Sequence, residues 1–553
     1  MRLAPFSLVF VLVVAAALVQ PAARTPAQAA PSGRGGMVVA ANPMAVEAGL
    51  KVLRAGGSAV DAAVAVQATL GLVEPQSSGL AGGAFMTYYD ARTKEVTTYD
   101  GRETAPASAT STYFYVNGAP LGRGAVRTGK STGTPGAVTM LALAHAQHGK
   151  LAWKDLFGEA IHLAEDGFPV PARMADAAGR AGPEIQAYVG GRKAGDILKN
   201  PAYAATVRAL AANPRAINEG PIAAAIAAKV GEAPNPGTIS VADLAGYRPN
   251  TTPALCRPYR VYIVCAPPPP SGGIGVLMAL GIYENLPIDK YKPTDPEAWY
   301  LFAEGQRVMY ADRDQYIGDP SFVHIPTGLL DPNYLKSRAA LVGAQSKAYA
   351  AGSPPDAVAY GADDTHEVAG TSHFVIVDKD GNALSMTTTV ESAFGSNRMA
   401  AGMVLNNQLT DFSQTPTDAA GKPVANAVAG GKRPRSSMSP TIVLDRNRNF
   451  VMAIGSPGGN SIPAYTLKVI VGVLDWHLTL QDAINLPNLI AQGPGTTAEV
   501  DKFAPGVAAG LAAKGITPRG AAAEGSGLHG ILVVNNRLVG AADPRREGVA
   551  KAP

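Results

Sequence analysis

The stretch that decides the fold begins at Gly370 and reads GTSHFVIVDKDGNALSMTTTVESAFGS. Two β-rich runs, 373–377 and 383–390, meet at the tight-turn signal DGN of residues 380–382 and predict a β-hairpin. Thr371 opens this hairpin directly after a glycine. A threonine hydroxyl is a weak nucleophile and needs a base, which its own α-amino group can supply once the preceding peptide bond is cut. The pattern therefore predicts a nucleophilic threonine at the mouth of a hairpin.

Other motifs surround this hairpin along the chain. They are GGMVVA (35–40), GGSAVDAA (56–63), RETAP (102–106), PPPSGG (268–273), ADR (311–313), KRPRSSMSPT (432–441), GSPGG (455–459) and DPR (543–545). Together with the hairpin segment, these motifs resemble the γ-glutamyltransferases, which belong to the N-terminal-nucleophile hydrolases. The resemblance spans nearly the whole chain after about residue 35, with the motifs in the family's order.

The alternation of strand-rich and helix-rich segments, without βαβ regularity, predicts a mixed α/β (α+β) class. The family resemblance implies a finer architecture, a four-layer αββα sandwich. It also implies one fold built from two chains, residues 31–370 as the large chain and residues 371–553 as the small catalytic chain. Helices are predicted at 44–53, 59–72, 137–148, 153–165 and 299–310, and strands at 85–89, 95–99, 450–454 and 531–534.

The resemblance assigns roles to the residues around the predicted nucleophile. Thr371 would attack the carbonyl of Gly370, an N→O acyl shift would give an ester, and water would cleave it to release two chains. Thr389 matches a threonine whose hydroxyl bonds the nucleophile. Gly458 and Gly459 match a pair of backbone N–H donors that stabilise the oxyanion. A plain turn between a strand and a helix is the structural alternative for the two glycines.

A second group matches the positions that hold the amino-acid end of a γ-glutamyl donor. Arg102 matches the arginine that grips the donor α-carboxylate through two parallel bonds. Ser436 and Ser437 match donors to the same carboxylate. Gln408 and Asp411, in the segment LNNQLTDF, match the groups that hold the α-ammonium. Each residue alone would usually be a solvated surface group, and only their joint spacing favours a site.

Two features depart from the family pattern. Glu391 stands where the family usually has Asn, two residues after Thr389. Together with Asp411 it would place two carboxylates near one cation, which predicts a raised carboxylate pKa or a preference for a more cationic ligand. The loop 413–435 is shorter than in members with a substrate-covering lid and contains no Tyr or Trp, which resembles lidless members and some cephalosporin acylases.

The first 30 of the 553 residues predict an export signal, with Arg2 before an apolar run and small residues at 27–30. An uncleaved anchor is the alternative. The expected location is therefore periplasmic or secreted, without a stable membrane span. Cys256 and Cys265, the only cysteines, flank a short segment, and their spacing is compatible with a disulfide or with two buried thiols.

Composition argues against several classes of function. The formal net charge is +4 without a basic block, so no nucleic-acid partner is expected. The 8 histidines and 2 cysteines show no metal-ligand spacing, and no metal or other cofactor is expected. Residues 124–131 fit the Walker A pattern and 129–133 fit G-x-S-x-G. Both motifs need a helix directly after them, whereas the TGTPG that begins at residue 132 does not favour one.

His373 lies two residues from Thr371 and could be a general base. A structural role at the start of the strand is favoured, because the threonine amine can do the chemistry itself. The main prediction is a self-processing γ-glutamyltransferase that cleaves γ-glutamyl amides such as glutathione and passes the glutamyl group to water or to amino acids. The alternatives are an acylase of the same fold acting on glutaryl-type amides and a catalytically inactive, secreted binding protein.

Overall fold

Two seven-stranded sheets form the centre of the molecule. The computed structural model describes residues 32–33, 35–520 and 525–553, so the predicted export signal, residues 1–30, lies outside the described residues. In chain order the strands of the two sheets are β1 (Ser32–Gly33), β2 (Met37–Ala40), β3 (Gly83–Tyr89), β4 (Val96–Asp100), β5 (Asn250–Pro253), β6 (Leu255–Tyr259), β7 (Tyr262–Ala266), β8 (Ser372–Val377), β9 (Ala383–Thr389), β10 (Thr441–Asp445), β11 (Phe450–Gly455), β12 (His529–Val534), β13 (Arg537–Ala542) and β14 (Val549–Lys551).

Helices cover the outer faces of both sheets. They are α1 (Pro43–Arg54), α2 (Ala59–Val73), α3 (Ala137–His148), α4 (Gly158–Asp166), α5 (Ala172–Ala178), α6 (Pro183–Val189), α7 (Pro201–Ala212), α8 (Gly220–Val230), α9 (Val241–Gly246), α10 (Gly273–Tyr283), α11 (Pro296–Tyr316), α12 (Pro332–Ala339), α13 (Ile462–Leu474), α14 (Leu480–Asn485) and α15 (Val507–Ala513). Short strands also pair outside the two sheets, at Tyr115–Val116 with Ala119–Pro120, Phe168–Pro169 with Ile197–Leu198, Met399–Ala400 with Met403–Val404, and Gly495–Ala498 with both Leu489–Gln492 and Arg519–Gly520.

The predicted hairpin occupies the centre of the first sheet. β8 and β9 pair antiparallel with Ser372 opposite Thr388, and the strand order is β14-β2-β8-β9-β3-β4-β5. The second sheet has the order β1-β13-β12-β11-β10-β7-β6. β8 pairs with β9 from Ser372 onward and with β2 from Phe374 onward, so Thr371 directly precedes a strand that is paired on both sides for most of its length.

Side chains along the central strands alternate between two cores. Phe374 and Ile376 pack against the helical layer that contains α1 to α4. Val375 and Val377 instead face the second sheet, where they meet side chains such as Ile442. A second helical layer, α10 to α15, covers the other face of the second sheet. The order helix, sheet, sheet, helix is the four-layer αββα sandwich, and it explains why the strands read as continuous apolar runs.

Most predicted elements are present with small changes of boundary. The helices predicted at 44–53, 59–72, 137–148 and 299–310 correspond to α1, α2, α3 and α11, and the four predicted strands correspond to β3, β4, β11 and β12. The helix predicted at 153–165 is present as α4, but the predicted start is wrong. Trp153–Leu156 is a 3-10 turn, and α4 begins only at Gly158. The helix is interrupted because the consecutive residues Leu156 and Phe157, at the junction of the two elements, are both buried in the core of the helical layer.

Cys256 and Cys265 lie opposite each other on β6 and β7, at the edge of the second sheet, and are joined by a disulfide. The Walker A-like segment is followed by an irregular stretch, and the next helix, α3, begins only at Ala137. In the described part of the chain, no helix combines the length and the apolar character needed to cross a bilayer.

Candidate active site

Thr371 lies at the open end of the β8–β9 hairpin, immediately before the first residue of β8. Its Oγ1 is 3.0 Å from Oγ1 of Thr389, the last residue of β9. Its backbone N–H donates to the carbonyl oxygen of Ser77 at 3.0 Å. Its own carbonyl oxygen accepts from Nη1 of Arg546 at 2.9 Å. The hydroxyl, amide and carbonyl groups of Thr371 therefore all have fixed partners.

The peptide bond before Thr371 lies in a confined and strained stretch of backbone. Thr371 has a φ of 81°, in the left-handed region that β-branched residues rarely adopt. A Cβ added at Gly370 would lie 1.6 Å from the carbonyl oxygen of Glu391, so only glycine fits there. Backbone strain of this kind costs roughly 1–3 kcal/mol and persists where the surrounding structure enforces it.

The turn after β9 connects Thr389 to Glu391. The backbone N–H of Glu391 donates to Oγ1 of Thr389 at 2.7 Å, and Glu391 itself has a φ of 80°. A hydroxyl carries one proton and two lone pairs. Thr389 therefore keeps its proton and one lone pair available for the Oγ1 of Thr371.

Gly458 and Gly459 form the turn between β11 and α13, with φ values of 137° and 55°. A Cβ added at Gly459 would lie 2.4 Å from the carbonyl oxygen of Glu367, in the segment that precedes the nucleophile. Glycine is thus required both by the backbone conformation and by this close approach. Gly459 lines the same cavity as Thr371, whereas Gly458 faces the neighbouring cavity.

Arg102 is buried beside the nucleophile, and part of its guanidinium is already paired. Its Nη2 donates to Oδ2 of Asp411 and to the carbonyl oxygen of Arg435, each at 2.7 Å. Its Nε donates to the carbonyl oxygen of Pro434 at 3.2 Å. Nη1 lies 3.9 Å from Oε2 of Glu103, whose pKa is raised by burial to about 8. The planar fork is therefore held in one orientation.

Asp411 and Gln408 each have one side-chain oxygen that accepts no hydrogen bond from the described residues. Oδ2 of Asp411 is used by Arg102 and by Nε2 of Gln408. Among the described residues, Oδ1 of Asp411 and Oε1 of Gln408 are buried without a hydrogen-bond partner. Such acceptors are costly until a donor arrives, so they suit an incoming ammonium group. Burial raises the pKa of the Asp411 carboxyl to about 7, although the Arg102 guanidinium opposes this.

Glu391 points into the same cavity. Its Oε1 accepts from the backbone N–H of Val368 at 3.1 Å, and its Oε2 accepts from Nδ2 of Asn407 at 2.5 Å. Burial, and after it the neighbouring charge of Asp411, raise the pKa of Glu391 well above its usual value. The contribution of Asp411 to the raised pKa of Glu391 agrees with what the sequence predicts for this pair, although burial is the larger cause.

The segment before Thr371 places the carboxylate of Glu367 in the cavity that Thr371 lines. Glu367 accepts from Nη2 of Arg313 at 2.9 Å and from the backbone N–H of Ser437 at 2.7 Å. Arg313 also donates to Oγ of Ser437 at 2.6 Å. Burial alone would raise the pKa of Glu367, but the guanidiniums of Arg313, Arg435 and Arg102 lower it below its usual value. A group of carboxylate-binding donors is therefore occupied from within the chain.

We call the space around Thr371 the nucleophile cavity. Its free volume is about 10 Å³, which is room for about one water molecule. Ser437 contacts Glu367 at the edge of this cavity, and Oγ of Ser436 accepts from the backbone N–H of Met438 at 3.1 Å. The sequence-predicted residues that line the cavity are Arg102, Thr371, Thr389, Glu391, Gln408, Asp411, Ser436 and Gly459.

Sequence reasoning missed three charged residues of this site, Glu367, Arg313 and Arg435. Arg313 and Arg435 belong to the ADR and KRPRSSM motifs, so a search for buried partners within those motifs could have found them. Glu367 has no motif, and its only signal is that it lies four residues before the nucleophile.

His373 is not part of the cavity. Its side chain lies between the sheets, where Nδ1 is 2.9 Å from Oγ1 of Thr387. Burial, and after it the nearby His529, lower the pKa of His373 well below its usual value, so the ring is neutral. These contacts favour the structural role over that of a base. Within residues 35–520 and 525–553, no group of three or more His, Cys, Asp or Glu side chains could hold a metal ion.

A four-layer αββα sandwich with a threonine at the start of a central strand is the arrangement of the N-terminal-nucleophile hydrolases. The Gamma-glutamyltranspeptidase family profile matches residues 45–552. The chain is 35 % identical over 536 residues to the Glutathione hydrolase proenzyme of Escherichia coli (strain K12), covering 92 % of this chain and 90 % of that protein. It is 36 % identical over 482 residues to the Glutathione hydrolase proenzyme of Bacillus subtilis (strain 168), covering 83 % and 81 %. The chain therefore belongs to the γ-glutamyltranspeptidase family of enzymes.

A solved structure shares the whole architecture. The crystal structure of cephalosporin acylase from Bacillus halodurans superposes with a TM-score of 0.83 and covers 96 % of this chain and 98 % of its own. The sequence identity between the two is 24 %, so this similarity shows the common fold alone.

Proposed function

We propose that this chain is an exported, self-processing γ-glutamyltransferase and glutathione hydrolase. The observation that carries the proposal is that one cavity contains the Thr371 hydroxyl, the Arg102 guanidinium and the unpaired acceptors of Asp411 and Gln408. A guanidinium and buried acceptors suit the α-carboxylate and α-ammonium of an amino acid whose side-chain carbonyl reaches the nucleophile. The names of the two bacterial relatives support the same substrate class.

Maturation would begin at the strained bond between Gly370 and Thr371. Oγ1 of Thr371 attacks the Gly370 carbonyl carbon and gives up its proton. Collapse of the tetrahedral intermediate breaks the C–N bond, and the nitrogen takes a proton, which leaves an ester and a free amine. Water then hydrolyses the ester. The products are a large chain ending in the Gly370 carboxylate and a small chain beginning with Thr371, which stay together as one fold.

Turnover would use the new amine as the base. Its reference pKa is about 7.7 to 8.0, so a useful fraction is neutral near pH 7. The amine takes the proton of Oγ1 as the oxygen attacks the γ-carbonyl of the donor, and the backbone N–H groups of Gly458 and Gly459 stabilise the oxyanion. The proton then passes to the leaving amine. Water or an amino-acid amine resolves the glutamyl ester, and Thr389 holds Oγ1 throughout.

The substrate of the acylase alternative differs from a γ-glutamyl donor in one functional group. A glutaryl group carries a carboxylate but no α-ammonium, so it would leave Oδ1 of Asp411 and Oε1 of Gln408 buried and unpaired. An unsatisfied buried acceptor costs about 1–3 kcal/mol, which disfavours glutaryl amides. An inactive binding protein would have no need for the Gly370-Thr371 junction, which allows no other residue at 370.

A denaturing gel beside an activity assay tests the proposal. Purified full-length protein should give two bands, and sequencing of the smaller chain should begin Thr-Ser-His-Phe. It should hydrolyse both glutathione and a chromogenic γ-glutamyl anilide. Thr371→Ala should remain one chain and lose all activity, because it lacks the nucleophile for both reactions. A single uncut chain with full activity would contradict the mechanism.

A further inference from the structure

A second cavity adjoins the nucleophile cavity on the side of the oxyanion turn. Its volume is about 390 Å³, within the range of small-molecule sites. Gly458 lines this outer cavity while its neighbour Gly459 lines the nucleophile cavity, and Glu367 lines both. The two spaces are therefore consecutive, and the segment before the scissile bond lies between them.

The walls of the outer cavity are polar but almost free of charge. They include Asn460, Gln492, Thr496 and Thr497. Arg519 is the only Arg or Lys among the described residues that line it. Its backbone is held by the parallel pairing of Arg519–Gly520 with Gly495–Ala498.

Within the described part of the chain, the charge of Arg519 is not neutralised by an acidic side chain. No described carboxylate forms an ion pair with its guanidinium, and the residue is exposed to solvent. The acidic lining residue Glu367 is instead bound to Arg313. Among the described lining residues, Arg519 therefore provides the one positive charge at the rim of a mainly polar cavity, and the negative charge of Glu367 is already paired.

We propose that the outer cavity receives the leaving group and the acceptor, and that Arg519 selects those that carry a free carboxylate. The inference rests on the proposed function. Once the chain is cut after Gly370 and the segment that carries Glu367 has moved aside, the donor's glutamyl end takes the place of that segment in the nucleophile cavity. The amine on the far side of the reacting carbonyl must then lie beyond the oxyanion turn. The cysteinylglycine part of glutathione ends in a carboxylate, and an amino-acid acceptor carries one as well. A guanidinium binds a carboxylate through parallel N–H bonds.

The test compares three donors that share the γ-glutamyl group and differ in the leaving group. These donors are glutathione, glutathione with its C-terminal carboxylate converted to an amide, and a γ-glutamyl anilide. Wild type should prefer glutathione over its amide by about three- to fivefold in kcat/KM, the size expected for an exposed ion pair. Arg519→Ala should lose that preference and keep its activity on the anilide. Arg519→Lys should keep part of the preference, because the charge remains.

Two controls separate recognition from a general effect. Arg446→Ala removes an exposed arginine from the turn before β11, at the opposite end of that strand from Gly458, and should change none of the three rates. Raising the salt concentration should weaken the wild-type preference and leave Arg519→Ala unaffected.

Equal loss on glutathione and its amide in Arg519→Ala, or no change on either, would overturn the role of Arg519. Activity on the anilide distinguishes this failure from a failure of the proposed function. A wild-type protein inactive on all three donors would overturn the proposed function and this inference together.

Discussion

The two sides of Thr371 are built on opposite physical principles. The nucleophile cavity has about 10 Å³ of free volume and is surrounded by buried charges, with Arg102 paired to Asp411 and Glu367 paired to Arg313. The outer cavity has about 390 Å³ of volume and mainly uncharged polar walls, and Arg519, the only Arg or Lys among the described residues that line it, is exposed.

This difference determines what each side can recognise. A buried charge is tolerated only when partners and hydrogen bonds surround it, so each charged residue of the nucleophile cavity fixes the identity of several others. Such a site accepts one shape and one charge pattern. The outer cavity imposes no such requirement, and it can take leaving groups of different size while one exposed charge adds a modest preference.

The largest effect is expected at Arg102. Arg102→Lys keeps the charge but loses the planar guanidinium, whose Nη2 reaches Asp411 while its Nε reaches the carbonyl of Pro434. We expect kcat/KM for γ-glutamyl anilide to fall on the order of a hundredfold, mostly through KM, because about 3 kcal/mol of charge-assisted bonding is lost. Self-cleavage should continue, since Thr371 and its contacts remain. Steady-state kinetics and a denaturing gel measure the two effects.

Arg257→Lys is the matched control, because Arg257 pairs with Glu284 at the far sheet edge. It should leave KM unchanged. If Arg102→Lys also leaves KM unchanged, Arg102 does not bind the donor, and the contrast between the two cavities loses its main support.

A smaller effect is expected at Glu391, where this chain departs from its family. Glu391→Asn replaces a carboxylate by the family's usual amide. If Glu391 accepts a bond from the donor ammonium, kcat/KM for glutathione should fall about ten- to thirtyfold, in line with the loss of roughly 1.5–2 kcal/mol. Hydrolysis of a glutaryl anilide, which has no ammonium, should change little.

Glu391→Gln is the companion variant, since it keeps the length of the side chain while it removes the charge and replaces one acceptor oxygen by an NH2 donor. A gain on glutathione in Glu391→Asn would mean that Glu391 adapts the cavity to a different ligand. A wild type that prefers the glutaryl anilide would favour the acylase alternative.

Local patterns predicted the central part of the fold, whereas the site needed the family resemblance. The hairpin was predictable because its two β-rich runs and its DGN turn lie within one short stretch. Arg102 and Asp411 are 309 residues apart, and no local pattern reveals that they form a pair. Glu367 and Arg519 stayed hidden for another reason. Each is a single charged residue outside any motif, and its significance comes only from the cavity that it lines.

The smallest effect is a dependence on pH that should appear in the nucleophile cavity, where Asp411 is expected to bind the donor ammonium, and not in the outer cavity. The Asp411 pKa is raised to about 7 by burial, so the carboxyl gains a proton as the pH falls through that value. A protonated Asp411 binds an ammonium poorly, and its ionised fraction falls from about three quarters at pH 7.5 to about one tenth at pH 6.

The Thr371 amine also titrates in this range, and a glutaryl anilide isolates its contribution because that substrate has no ammonium to bind. We therefore expect the ratio of kcat/KM for γ-glutamyl anilide to that for glutaryl anilide to fall about eightfold between pH 7.5 and 6. The preference for glutathione over its amide should stay constant over the same interval, since neither a guanidinium nor a C-terminal carboxylate titrates there. A ratio of the two anilides that does not change with pH would show that Asp411 does not bind the donor ammonium.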